Sequence, residues 1–380
     1  MSIIIGADLV PTKTNIDLFE AGNISALVGE ELKLILESAD YRIFNLEMPL
    51  TDTESPITKT GPALIAPTSA VAAYKAMNVN LLTLANNHIL DHGNQGLTST
   101  LGVLRDNYID AIGAGKSPEL AARPHIFKFS NKSVGVYACA EHEFSIVTDD
   151  TPGANPFDPL ESLDHIVRLK EECDYVIVLY HGGKEHYRYP SPNLQKVCRK
   201  LVDKGANLVI CQHSHCIGCE EKYKSGTIIY GQGNFIFDHS KSELWKTSLL
   251  VKVTEDFKIE YIPVMKTENT VRLAVGDMGE KILLDFRQRS EDILQEGFVK
   301  SNYQAYADGL KEFYFMKLAG IKRTFLFRAV NKLTGQRHTK KVLSKKYSEK
   351  HICNLINYLE CEAHRELILS ILSGKGKKKQ

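Results

Sequence analysis

A chain of 380 residues can bury a full core and form one or two domains. With 43% hydrophobic residues, 24% charged residues and a net charge of +1, the composition is that of an ordinary globular protein, and overall charge singles out no class of partner. No run approaches the roughly 20 apolar residues that span a bilayer. The opening MSIIIGADLV lacks the basic region of a signal peptide. Eight cysteines suit free thiols in a reducing compartment, so a cytoplasmic location is expected.

Short apolar runs read as strands at SIIIGAD, YRIFNLE, VNLLTLANNH, SVGVYACA, DYVIVLYHGG, ANLVICQHSH and GTIIYGQGNF. Helical periods lie between them at 24–38, 67–78, 94–107, 160–172 and 192–204. Continuous apolar strands alternating with helices predict an α/β fold whose strands are buried on both faces. Residues 249–265 read as two strands joined at TEDF, and beyond about residue 280 the pattern turns mainly helical. The expected division is a catalytic domain over 1–270, a mainly helical basic extension over 271–374, and a disordered basic tail over 375–380.

Residues able to bind a metal sit where these strands end, which is where α/β sheets collect ligands. Asp8 closes GAD; it reads as a turn residue or as a carboxylate ligand for a hard or borderline cation. In NLEMPLT, Asn45 and Glu47 project to one face, as a capping pair or with Glu47 bridging two cations. LANNHILDHGNQGL offers Asn86, Asn87 and His88, with Asp91 three residues further on. Asn87 reads as a ligand through its amide oxygen, His88 as a general acid, and Asp91 as the carboxylate that orients His88. His92 and Asn94 read as surface residues. His181 ends a fully apolar strand and reads either as a structural histidine or as a ligand; Glu185 and His186 follow as weaker contacts. In CQHSHCIGCEE, His213 and His215 lie on one face of an extended segment. The competing reading, a local zinc knuckle with Cys216 and Cys219, lacks a second C-x2-C pair. Asn234 and Asp238 in YGQGNFIFD read as turn residues or as support for the site.

GAD, NLEMPLT, NNHILDHGNQGL, HGGKEH with LVDKGANLVICQHSH, and YGQGNFIFD occur in an order that resembles the CapA family. That family comprises capsule and poly-γ-glutamate biosynthesis proteins of the calcineurin-like metallophosphatase superfamily. The resemblance covers residues 3–240 and implies a four-layer α/β/β/α sandwich with a two-metal site. It implies a first metal held by Asp8 and His215, a second held by Asn87, His181 and His213, Glu47 bridging, and His88 as the catalytic histidine. Val10 stands where many of these phosphoesterases have a histidine ligand, and Gln212 stands where the family pattern has one. The mixed nitrogen and oxygen donors favour Mn, Fe or Zn.

The resulting expectation is a metal-dependent hydrolase that uses metal-activated hydroxide on a cell-envelope, capsule or peptide-like substrate, a γ-glutamyl amide or a phosphoester. Proton abstraction of the epimerase type is open to the same site, and the alternative from another class is a non-catalytic assembly factor of a polymer-synthesising complex. The expected partner is an anionic or peptide-like polymer or a small molecule. Residues 317–350 carry eleven Lys and Arg against the single acid Glu349. They read either as a solvated helix face or as a peripheral contact with the inner membrane surface or a biosynthetic complex. Nucleic acid is not expected, because no aromatic recognition motif is present.

Overall fold

A computed structural model describes residues 1–238, 240–321, 325–334 and 337–376. The chain divides into two compact units, Met1–Lys300 and Ser301–Gln380.

The first unit is built on two sheets. One runs in the order Thr270–Leu273, Ile259–Thr267, Thr247–Thr254, Ser2–Val10, Tyr41–Asn45, Leu81–Thr83 and Asp110–Ile112, and Asn234–Phe237 also pairs with Ser2–Val10. The other runs Glu220–Tyr223, Gly226–Ile229, Leu208–Gln212, Tyr175–His181, Lys132–Ala140 and His125–Phe129. Between the sheets lies an apolar layer that includes Ile3, Ile5, Ile43 and Leu81 from the first and Val136, Ile177, Leu179 and Ile210 from the second. The opposite face of the first sheet packs on helical residues such as Phe19, Leu32, Tyr74 and Leu104. The opposite face of the second packs on Ile166, Leu169, Cys198 and Leu201. These three apolar layers separate four structural ones, the α/β/β/α sandwich expected. Strands covered on both sides must be apolar on both faces, which is why the sequence shows unbroken rather than alternating runs.

The expected helices form, with one division. The period at 24–38 becomes Ile24–Val28 and Glu30–Glu37, separated at Gly29, whose φ of 76° is in the left-handed region. GTIIYGQGNF, read as one strand, is two strands in different sheets. Gly226–Ile229 belongs to the second sheet and Asn234–Phe237 pairs with Ser2–Val10 of the first. The crossing uses Gly231 and Gly233, at φ 131° and 80°.

The first unit continues beyond residue 270 because helix Gly276–Asp292 packs Ile282 and Phe286 against Ile217, Leu249 and Ala274. Ile293 and Val299 complete the layer under the second sheet. The second unit contains the remainder of helix Phe298–Leu318, then Phe325–Leu333, Arg337–Lys346, Glu349–Glu360 and Glu362–Gly376. Its core is small: Met316, Leu343 and Tyr347, with Ile321, Phe327, Ile352 and Leu355 against them. In the basic stretch 317–350, residues 322–324 and 335–336 lie outside the described residues. Of the expected tail, 375–376 end a helix and 377–380 lie outside the described residues. Among the described residues no helix is long and apolar enough to cross a membrane.

Candidate metal centre

Five strands deliver side chains to one rim. Asp8 sits where the pairing of the first strand shifts register on both sides, between Ile5 and Asp8 against Tyr41–Asn45 and between Asp8 and Leu9 against Asn234–Phe237. Such a bulge turns a side chain out of the regular alternation. Asn45 ends the second strand, and Glu47 follows two residues later. Asn86, Asn87 and His88 lie in the turn after Leu81–Thr83. His181 is the last residue of its strand, and His213 and His215 follow Leu208–Gln212.

These side chains meet in two neighbouring groups. In one, His181 Nε2 lies 3.1 Å from Asn87 Oδ1, 3.1 Å from His213 Nδ1 and 3.3 Å from Glu47 Oε1. In the other, His215 Nδ1 lies 2.9 Å from Asn234 Oδ1 and 3.3 Å from Asp8 Oδ2. Glu47 joins them: one ligand atom each from Glu47, His213 and His215 falls within 4.8 Å of the others. Asn45 supports the centre from behind, donating to Asp8 Oδ1 at 2.7 Å while its own oxygen accepts from Asn86. Asn86 also donates to the Leu46 carbonyl and accepts from the His88 amide, which pins the turn.

The donors fit a cation better than they fit each other. Glu47 is completely buried, yet neither of its carboxylate oxygens has a hydrogen-bond partner, and Asp8 Oδ2 has none either. The 3.3 Å approaches of histidine nitrogens to these oxygens are attractive but not aligned as hydrogen bonds. A buried carboxylate in this condition costs several kcal/mol. Two ring nitrogens at 3.1 Å, as in His181 and His213, can share at most one proton or face a common cation.

The charges respond accordingly. Burial, then the neighbouring Asp8 charge, push the Glu47 carboxyl up to about 8. Burial lowers His181 to about 4, and burial followed by the charges of His181 and His215 holds His213 well below its ordinary value. Burial pushes His215 down, but Glu47 and Asp8 outweigh it and raise it to about 9. Burial raises Asp8, and the adjacent His215 more than reverses this, leaving it below the usual carboxylate range.

The rim closes with His88 and Asp91. His88 Nδ1 is 2.6 Å from Asp91 Oδ2, so the carboxylate holds the Nδ1–H tautomer and leaves Nε2 for a ligand or proton. A residue that sequence reasoning missed completes this pair. Lys59 Nζ lies 2.5 Å from Asp91 Oδ1, 3.2 Å from His88 Nδ1 and 3.3 Å from the Asn87 carbonyl, with its side chain only 3% exposed. A lysine in the loop ITKTGPALIA carries no local signal of burial. Only the folded loop, tied to Asp91 through the Ile57 and Leu64 amides, places it there. Trp245 was also missed; its ring lies against that of His215, with centroids 4.6 Å apart and planes tilted by 35°.

Other readings change. The HSH segment is not extended: His213 and His215 have φ of 86° and 52°, and both imidazoles reach the rim through left-handed turns. Non-glycine residues avoid that region at about 1–2 kcal/mol each, and here the turn is tied by the His186 amide to the Ser214 carbonyl at 2.9 Å. His92 is not on the surface but 1% exposed, with Nδ1 accepting from the Ser55 amide, whereas Asn94 is exposed. Asp238 faces away, bonded by Thr14 and paired with Lys266. Glu185 stays at the edge, 4.0 Å from His213 Nε2 with 45% of its side chain exposed, and His186 accepts from the Trp245 indole. Val10 is a core residue and Gln212 points inward to the Gly6 carbonyl, so neither joins the rim. Cys216 and Cys219 are buried free thiols, and among the described residues the cluster with metal-ligand spacing is Glu47, His213 and His215.

The α/β/β/α sandwich thus carries Asp, Glu, Asn and His side chains at one strand rim. The profile of the family described as "Bacterial capsule synthesis protein PGA_cap" matches residues 8–239, and the chain belongs to that family. It is similar to the PGA biosynthesis protein CapA of Bacillus subtilis (strain 168), 31% identical over 213 residues, 54% of this chain and 55% of that protein. It is also similar to the capsule biosynthesis protein CapA of Bacillus anthracis, 30% identical over 227 residues, 57% of this chain and 55% of that one. The chain spans about half the length of the curated relatives it matches. Among solved structures, a phosphatase of Mycoplasma pneumoniae matches with a TM-score of 0.44 and 16% identity over 70% of this chain and 94% of that one.

Proposed function

We propose that this rim binds two divalent metal ions, of the Mn, Fe or Zn kind, and hydrolyses an ester or amide bond in a capsule-related or peptide-like substrate. The observation that carries this reading is Glu47, a fully buried carboxylate with both oxygens unpaired between two groups of facing donors. Asn87, His181 and His213 would hold one ion, and Asp8 and His215 the other, with Asn234 beside His215 where Val10 supplies no donor. Glu47 would be shared. Bound divalent ions supply a water of near-neutral pKa and a Lewis acid for the scissile group.

The chain's own residues supply the rest. His88, 12% exposed at its side chain, would give a proton from Nε2 to the leaving group while Asp91 holds Nδ1. Lys59 would neutralise Asp91 and fix its orientation. The substrate reading draws on the family, whose named relatives are a PGA biosynthesis protein and a capsule biosynthesis protein.

Elemental analysis of the purified protein tests the centre: His181→Ala and His213→Ala should each lose most of the bound metal. Unchanged metal content in both would sink the proposal. Turnover of a model phosphoester or γ-glutamyl amide, lowered roughly 10²–10⁴-fold by His88→Ala, separates the hydrolase from a non-catalytic assembly factor.

A further inference from the structure

Beside the rim lies a cavity of about 360 Å³, within the roughly 300–1,000 Å³ range of ligand sites. Its wall adjoins the metal centre along the chain. Ile217, in its wall, is two residues beyond His215, and Lys246 and Thr247 follow Trp245, whose ring packs against that of His215. The far wall is helix Gly276–Asp292. Five cationic side chains line it against two carboxylates, Glu243 and Asp285.

The lysines are already engaged: Lys246 pairs with Glu243, Lys266 with Asp238 and Lys281 with Asp285. The two arginines are not. Arg188 donates from Nη1 to the Ile217 carbonyl at 2.8 Å, and Arg289 from Nε to the Gly218 carbonyl at 2.8 Å. Among the described residues neither forms an ion pair with a carboxylate. Two guanidiniums anchored on successive carbonyls are held close together against their mutual repulsion; burial and then the Arg188 charge hold Arg289 below its ordinary range. Each keeps further N–H groups for a ligand, in the forked geometry that matches carboxylate and phosphate oxygens. Gly218 itself packs against backbone, since a Cβ there would meet the Tyr230 carbonyl oxygen at 2.1 Å.

We propose that this cavity is an oxyanion subsite, in which Arg188 and Arg289 grip a carboxylate or phosphate group of a substrate whose scissile bond lies at the metal rim. The inference rests on the metal-site reading for the identity of the reacting end, but the binding itself does not need the metal. Guanidiniums anchored on the Ile217 and Gly218 carbonyls, just beyond His215 in the chain, would set which anionic chain is aligned with His88.

Calorimetric titration of the 380-residue chain at low ionic strength tests it, with inorganic tripolyphosphate and a short γ-linked glutamate oligomer as the two probes. At least one should bind, and the preferred probe identifies the anion. Arg188→Gln and Arg289→Gln should each weaken it roughly ten- to a hundred-fold. Lys281→Glu, at a side chain 69% exposed, should weaken it several-fold, and Lys132→Glu, at the amino end of a strand on the opposite rim, should not. Should either arginine variant fail to fold, Lys281→Glu against Lys132→Glu decides. No binding of either probe, or equal binding by wild type and the folded variants, overturns the subsite. His213→Ala separates the two readings: binding retained there supports the subsite even if the metal centre fails, and binding lost there but kept in the arginine variants assigns the anion to the rim and overturns the proposal.

Discussion

In residues 1–300, Glu47, Asp8 and His181 are at most 3% exposed and carry polar atoms that the protein itself leaves unpaired or faces with like atoms. In residues 301–376 the mismatch is the reverse: Leu367, Leu369 and Leu372 stand 60%, 56% and 61% exposed on helix Glu362–Gly376. The first unit has three apolar layers, so it can hold a few uncompensated charges without losing its fold. The second has a core of Met316, Leu343 and Tyr347 and too little interior to cover its own apolar surface. Unpaired buried carboxylate oxygens beside histidines in a well-built unit are compatible with binding a cation, whereas exposed apolar groups on a small unit point to limited volume.

The largest effect expected is at Lys59, which makes the first unit's buried charges survivable next to His88. Lys59→Met should cost about 3–5 kcal/mol, as removal of one partner of a buried pair does, read by urea unfolding. Adding Asp91→Asn should recover part of that loss, because the unpaired charge is then gone. A single-variant loss below about 1 kcal/mol would mean that the Lys59–Asp91 contact is no more than a surface pair, and the contrast between the units would weaken.

A pH series on metal-free protein sharpens the comparison next. Glu47 is raised from 4.5 to about 8, so between those values the unfolded chain releases a proton that the folded one keeps, and stability falls as pH rises. His215, raised from 6.5 to about 9, adds to the fall above 6.5. His181, lowered to about 4, works the other way, but only below its ordinary 6.5. Metal-free protein should therefore lose stability from pH 6.5 to 8, by an amount on the order of a few kcal/mol. Glu47→Gln should flatten much of that slope, and added Mn²⁺ or Zn²⁺ should raise the melting temperature of wild type but not of His213→Ala. A flat profile in metal-free wild type would contradict the buried, unpaired state of Glu47.

Much of this was legible in the sequence because each rim residue follows an apolar strand, and strand ends in such sandwiches converge. The four layers follow from the same unbroken apolar runs. What was not legible depends on contacts made after folding. GTIIYGQGNF looks like one strand because hydrophobicity does not record which sheet a strand joins; only the left-handed Gly231 and Gly233 reveal the crossing. HSH looks extended because alternation is the default for a short polar run, and the backbone instead adopts two costly left-handed turns. His92 reads as a surface residue and Lys59 is passed over because lysine and histidine in loops are normally exposed, and a loop folded over Asp91 is invisible to local pattern.

The smallest effect belongs to the second unit, and it tests the other half of the contrast. Leu369→Lys and Leu372→Lys replace exposed leucines on a helix with residues of comparable helix propensity. Since neither side chain is buried, the unfolding free energy should move by no more than about 0.5 kcal/mol. Concentration-dependent self-association should nevertheless fall, because these leucines contribute to exposed apolar surface. Sedimentation velocity over a range of protein concentrations reads the association, and thermal unfolding reads the stability. A loss of stability well above 0.5 kcal/mol would show that these leucines are packed, so that the second unit hides more apolar surface than its small core implies. That result would remove the contrast from its apolar side, just as a silent Lys59→Met would remove it from its polar side.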